Sequence, residues 1–267
     1  MKKLSIFAVA IAAIALTACG GKKGGQTTDV TDSVKTFEQA QVEEKIKVEL
    51  DSLAAEVGKL KALPFVQSSD NGIKLTDQEK QVKPEYLIDP AAADKANTLA
   101  EKYRMISTLS VDKSVATLYD MPTEAYDAAI NKLVADIDDP SFKEIDDAGT
   151  IFETGQKLYD AMDKNGRINY FWQLVGASLV EEFYVLTQNT DKFITAFDDE
   201  SASNITYRII LLSDAVERLA AYDSEFEPIA NAIKALRPLN AQSVDELKKQ
   251  LEETKENIAG ARAALVN

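Results

Sequence analysis

Arg167-Ile-Asn-Tyr-Phe-Trp-Gln-Leu-Val-Gly-Ala-Ser-Leu-Val-Glu-Glu-Phe-Tyr-Val-Leu-Thr-Gln188 is the stretch on which the fold turns. Coiled as a helix, it places Ile168, Phe171, Trp172, Leu174, Val175, Leu179, Phe183, Tyr184, Val185 and Leu186 over most of its circumference. A helix that is apolar all round belongs inside a larger core, because a surface helix keeps one face for water. Gly176, Ala177 and Ser178 add a band of small side chains where a neighbouring helix can approach closely. The stretch therefore predicts a central helix with others packed around it.

Both flanks supply those others, since apolar residues recur at helical spacing almost throughout. Val42, Ile46, Leu50, Leu53, Val57 and Leu60 form one stripe on a first helix from about Thr31 to Leu63, which Pro64 ends. That stripe is the core face of a bundle or a short coiled-coil partner surface. Pro64, Asn71-Gly72 and Pro84 break up residues 64–88, where a capping box at Thr76–Glu79 starts a short helix and a small hairpin or lid has room. Asp89-Pro90 reads as an N-cap with proline in the first turn, followed by Leu99, Tyr103, Ile106 and Leu109 on one face. Pro122 opens a helix with Tyr126, Ile130, Leu133 and Ile137 inward, closed by Asp139-Pro140. Ser141–Glu144 and Thr150–Glu153 are further capping boxes ahead of the Leu158–Met162 turn.

Beyond the central stretch, Thr190 starts a short helix with Phe193 and Phe197, and Asp198–Ser203 is an acidic, polar junction. Ile205, Ile209, Leu212, Val216 and Leu219 give a long helix; Ile205–Leu212 alone could pass for a strand, but the stripe runs on unbroken. Ser224–Glu227 caps a helix carrying Phe226, Ile229, Ile233 and Leu236, ended by Pro238, and Ser243–Glu246 opens a last one with Leu247, Leu251, Ile258 and Leu265. The expectation is a single all-α bundle of about seven to nine helices over residues 31–267, with no internal repeat and no domain boundary.

The N-terminus is of another kind. Lys2 and Lys3 precede Leu4–Leu16, thirteen residues that are all apolar except Ser5. The run is shorter than the ~20 residues that span a bilayer and fits the apolar part of a secretory signal. Leu16-Thr17-Ala18-Cys19 resembles the lipobox of bacterial lipoproteins. That resemblance implies a cleaved signal peptide of residues 1–18, diacylglyceryl transfer to the Cys19 thiol, and acylation of the new amino group. Residues 19–30 are then a lipidated cysteine and a Gly-rich tether reaching roughly 15–20 Å. By the same resemblance, Gly20 in place of an aspartate implies the outer membrane, and Lys22 and Lys23, where surface-exported lipoproteins of Bacteroidota carry acidic residues, imply its periplasmic face. The lipobox together with Tyr170–Glu182 resembles helical lipoproteins of gut Bacteroidota, a likeness that brings no activity with it.

Composition narrows the chemistry. Thirty basic against 44 acidic residues give a net charge of −14, and loss of Lys2 and Lys3 takes it to −16. Such a chain repels nucleic acid and anionic headgroups. With no histidine and a single cysteine, Cys19, the sequence holds no Ser-His-Asp or Cys-His machinery, no His- or thiolate-bound metal and no intramolecular disulfide. No dinucleotide or phosphate loop occurs, so no cofactor is expected. Carboxylate-pair hydrolysis and oxygen-ligated calcium survive.

Candidate site residues follow from interruptions in apolar surfaces. Tyr170–Tyr207 holds 8 of the 20 aromatic residues in 38 positions, so a pocket or the densest core lies there. Glu181 and Glu182 break the apolar surface of the central helix, and Arg208 breaks Ile205–Leu212. A buried charge must be paired, so Arg208 is expected to pair with Glu181 or Glu182. This is either a structural ion pair or, with Trp172 and Tyr184, a ligand site. Asp163-Lys164-Asn165-Gly166 has the middle of a calcium-loop pattern, but alignment on Gly166 puts Ala161 and Trp172 at the two chief ligand positions, so a helix end and turn is the better reading. The Asp138-Asp139, Asp146-Asp147 and Asp198–Glu200 clusters read as solvated helix ends, with a weak calcium site as the alternative. Two functions are expected on these grounds: a membrane-anchored lipoprotein that binds a protein or small ligand without catalysis, or a carboxylate-dependent hydrolase of the envelope.

Overall fold

The computed structural model describes residues 37–57, 63, 73–144 and 155–266. The signal segment, Cys19, the tether, Asn71-Gly72, Asp146-Asp147 and the Thr150–Glu153 box lie outside these residues, as do the side chains of Val42 and Ile46. The fold is all-α, and no strand occurs among the described residues. The α-helices are α1 Phe37–Val57, α2 Asp77–Lys80, α3 Leu99–Leu118, α4 Glu124–Ile137, α5 Gly155–Lys164, α6 Ile168–Gln188, α7 Thr190–Phe193, α8 Asp199–Ala220, α9 Glu227–Lys234 and α10 Val244–Val266. Short 3-10 turns link several of them.

The quoted stretch is α6, and it is the centre of the bundle: α3, α5, α8, α9 and α10 all pack against it. Sixteen of its 21 residues are buried. The close approach falls where the small residues stand, for a Cβ added to Gly176 would lie 2.7 Å from Ile229 of α9. Each large apolar side chain buried in this way contributes about 1.5–3 kcal/mol. Phe171, Trp172, Leu174, Leu179, Phe183 and Leu186 are each fully enclosed, and the same helix carries Glu181 and Glu182 into the core with them.

Local signals set most boundaries. The Thr76–Glu79 capping box makes both of its bonds at the start of α2. Asp89-Pro90 caps only a 3-10 turn, Pro90–Lys95, through the Ala91 N–H. The chain breaks at residues 96–98, and α3 begins from a second capping box, Thr98 with Glu101, which the expectation of one continuous helix passed over. Asp198 caps Ser201 and α8 runs directly from it, so the acidic junction is the first turn of the helix. Ahead of α9 the capping residue is Asp223 rather than Ser224, because Asp223 has the extended backbone that lets its carboxylate reach the Glu225 N–H. Asp139 likewise supplies the cap before Phe142, accepting from Ser141 N–H.

The Asp163–Gly166 segment is a helix C-terminus. Gly166 has φ +67, its N–H bonds to Asp163 C=O, and the Arg167 N–H reaches back 2.7 Å to Met162 C=O, closing α5 in a Schellman motif. Nothing stands within 4 Å of where a Cβ would go. Gly166→Ala is therefore expected to destabilise by about 1–2 kcal/mol through backbone conformation alone. Chemical denaturation checks this, and an unchanged midpoint refutes it.

Candidate functional site

Glu181 and Glu182 are adjacent on α6 and so about 100° apart around it. They face different partners. Glu182, 1% exposed, lies 3.9 Å from Arg208 of α8, accepts the Leu63 N–H at 3.3 Å on the same oxygen and faces the Ser178 hydroxyl at 3.4 Å on the other. Burial pushes its carboxyl up to about 7, against the downward pull of Arg208 and the two hydrogen bonds. Burial also lowers the Arg208 guanidinium, which Glu182 partly restores. The pairing of Arg208 is thus with Glu182.

Glu181 belongs to a second cluster. Its Oε2 accepts from Nε of Arg262 on α10 at 3.0 Å, and Nη2 of Arg262 lies 3.9 Å from Asp112 on α3. Asp112 Oδ2 takes the Ile88 N–H at 2.6 Å, while the Tyr126 hydroxyl donates to Ile88 C=O at 3.1 Å. Asp112 Oδ1 and Glu181 Oε1 have no donor among the described residues, although both are buried. A proton shared between the two carboxyls would satisfy both atoms. Burial raises both carboxyls, and the facing Glu181 raises Asp112 further, so of the two Asp112 is displaced more strongly towards its protonated form. Arg262 is held above its ordinary value: burial pulls it down, but Glu181 and Asp112 outweigh that. With one such proton, the two carboxyls and the guanidinium would carry no net charge.

Tyr184 joins this second cluster. The Arg262 guanidinium stacks 4.7 Å above its ring, and Tyr86 meets the same ring edge-on at 6.5 Å. Trp172 does not join either cluster. Ten residues separate it from Glu182, ~15 Å along the helix axis. It packs instead with Phe171 at 5.2 Å and Tyr159 at 6.4 Å in edge-to-face contacts. The five residues singled out from sequence therefore divide into Glu182 with Arg208, Glu181 with Tyr184, and Trp172 in the aromatic core. Asp112 and Arg262, which complete the second group, were missed.

Of the acidic clusters expected to be solvated helix ends, Asp146-Asp147 lies outside the described residues, and Asp139 is not solvated but buried. Asp139 is 2% exposed and accepts the Tyr103 hydroxyl at 2.5 Å besides its capping bond, and Asp198 is a helix cap. Among the described residues no group of three or more Asp, Glu, Cys or His could hold a metal ion, and no helix is long and apolar enough to cross a membrane. Compared with protein-family models, with curated proteins and with solved structures, the chain matches none of them.

Proposed function

We propose that the chain is a lipid-anchored lipoprotein of the bacterial cell envelope, held through acylated Cys19 at the outer membrane facing the periplasm, with a helical domain that binds its ligand or partner without chemistry. Leu16-Thr17-Ala18-Cys19 after an apolar run of thirteen residues supports the anchor. The observation that carries the non-catalytic reading is the state of the carboxyl pair. A carboxylate hydrolase needs two carboxyls flanking a space that admits water and substrate. Asp112 and Glu181, the pair the bundle brings together, are 0% and 1% exposed and flank only each other. Both are engaged by Arg262, and Asp112 also by the Ile88 N–H.

The anchor is tested by mass spectrometry of the N-terminal peptide from membranes of cells expressing the full chain. The expected peptide begins at Cys19 and carries diacylglyceryl and a third acyl chain. Cys19→Ser is expected to leave the protein outside the detergent phase on phase partition. An unmodified Cys19, or a retained residue 1–18 segment, refutes the reading.

A further inference from the structure

Helix α1 is joined to the bundle in a different way from the helices around α6. It packs chiefly on α5 and α8, which themselves pack on α6, so it forms an outer layer. Among its described side chains Leu50, Ala54 and Val57 are buried and Leu53 is partly covered, while Val48 faces water.

Polar contacts close both edges of this seam. On the α5 side, Lys47 Nζ lies 3.1 Å from Asp51 and 3.0 Å from Asp163 of α5, and the Tyr159 hydroxyl donates to Asp51. On the α8 side, Arg218 pairs with Glu49 of α1 and, at 3.0 Å, with Asp214. The Tyr207 hydroxyl donates to Glu56 at 3.0 Å. Each ionic clip is thus one cation between two carboxylates, one on α1 and one on the bundle. The six side chains are 37–45% exposed, so water and salt screen them and each pair adds little. Helix α1 carries six acidic and two basic residues on a chain that is itself acidic, so without the two cations acid faces acid.

A segment with few buried apolar side chains and solvent-screened polar contacts opens locally, well below the free energy of global unfolding. Its departure leaves the packing of α3, α9 and α10 on α6 in place. We propose that α1 is a separable strap, which undocks from α5 and α8 as a unit while the bundle around α6 stays folded. Its 21 residues lie between Cys19 and the bundle, so release lengthens the connection to the anchor by up to about 30 Å. That last consequence rests on the reading of Cys19 as the anchor; the undocking does not.

Hydrogen exchange read by mass spectrometry on full-length protein in non-ionic detergent follows α1, α6 and α10 separately. Residues 47–57 are expected to exchange about a hundredfold faster than residues 171–186 of α6. Lys47→Gln with Arg218→Gln is expected to accelerate α1 by about tenfold more and to leave α6 and α10 unchanged. Leu50→Asp with Val57→Asp puts charge into the apolar seam and is expected to abolish protection in α1 alone. Protection of α1 equal to that of α6 overturns the proposal, as does no response to Lys47→Gln with Arg218→Gln. Loss of protection in all three helices together, in either double variant, overturns it as well.

Trp172 is the single tryptophan and lies in the core, so it reports the height of the bundle above a membrane. In vesicles containing a dansyl-labelled lipid, Leu50→Asp with Val57→Asp is expected to transfer less energy from Trp172 than the native chain does. Equal transfer overturns the added reach. No transfer from either chain refutes the anchor instead and leaves the exchange result standing.

Discussion

Arg262→Met is expected to cost about 3 kcal/mol of unfolding free energy at pH 7, while Glu181→Gln costs less than about 1 kcal/mol. The difference follows from the count of charges in one buried group: two facing carboxyls and one guanidinium, a set that one proton shared by the carboxyls would neutralise. Removing a single member of a buried pair costs about 3–5 kcal/mol because the other is left uncompensated, and the 15% exposure of Arg262 places it at the low end of that range. Without the guanidinium, Glu181 must take a proton as well, and the cation stacked on Tyr184 is lost. With Gln at position 181, Asp112 can release the shared proton and become the counter-ion of Arg262 itself. The new amide then donates where the proton had been. Urea denaturation of the two variants checks the order. A larger loss for Glu181→Gln than for Arg262→Met would refute the assignment of the shared proton.

Stability is expected to fall as pH rises from about 5 to 8, opposite to the trend set by salt-bridged surface carboxylates. Glu182 has a folded pKa of about 7 against an ordinary value of 4.5. Between those values the folded state keeps a proton that the unfolded chain has released, so the unfolded state binds fewer protons and stability declines with pH. Below pH 4.5 the contribution is fully present; above 7 it is gone. Two and a half pH units at about 1.4 kcal/mol each give about 3.5 kcal/mol from Glu182 alone. Asp112 and Glu181 are also raised and act with the same sign. The capping carboxylates Glu79, Glu101 and Asp198 are held low by their hydrogen bonds, Glu79 also by Lys192, and act in the opposite sense, but below pH 4.5. The maximum therefore lies near pH 5. Denaturation midpoints at pH 5, 6, 7 and 8 measure the slope, and Glu182→Gln is expected to flatten it. Stability that rises across this window would overturn the account.

The central helix is legible in the sequence because its apolar residues leave no polar stripe, and only a core position tolerates that. Residues 96–98 show where local signals compete. Asp89-Pro90 and Thr98 with Glu101 are both start signals, and the spacing of Leu99 and Tyr103 alone does not say which one opens α3. The site is half legible for a different reason. Glu181 and Glu182 stand out because they interrupt a continuous apolar surface, and Arg208 does the same on α8. Asp112 and Arg262 sit on helices with many charges and attract no notice there. A signal was nonetheless available: Asp112 follows Leu109 by three and Arg262 follows Ile258 by four, so each occupies a position in its helix's own apolar stripe. Which acid meets which base could not be read, because Glu181 and Arg262 are 81 residues apart and only the packing of α10 on α6 brings them together.

The order of those residues along the chain has a consequence for how the molecule is made. Asp112 precedes Arg262 by 150 residues as the chain emerges into the envelope, and Glu181 precedes it by 81. Until α10 emerges, α3 and α6 can dock only with both acids protonated or wet. The neutral, dry form of their interface waits for the last turns of α10. A chain cut short before residue 262 is accordingly expected to resemble a loosened assembly of the first helices rather than a smaller version of the finished bundle, and to be recognised as such by envelope proteases.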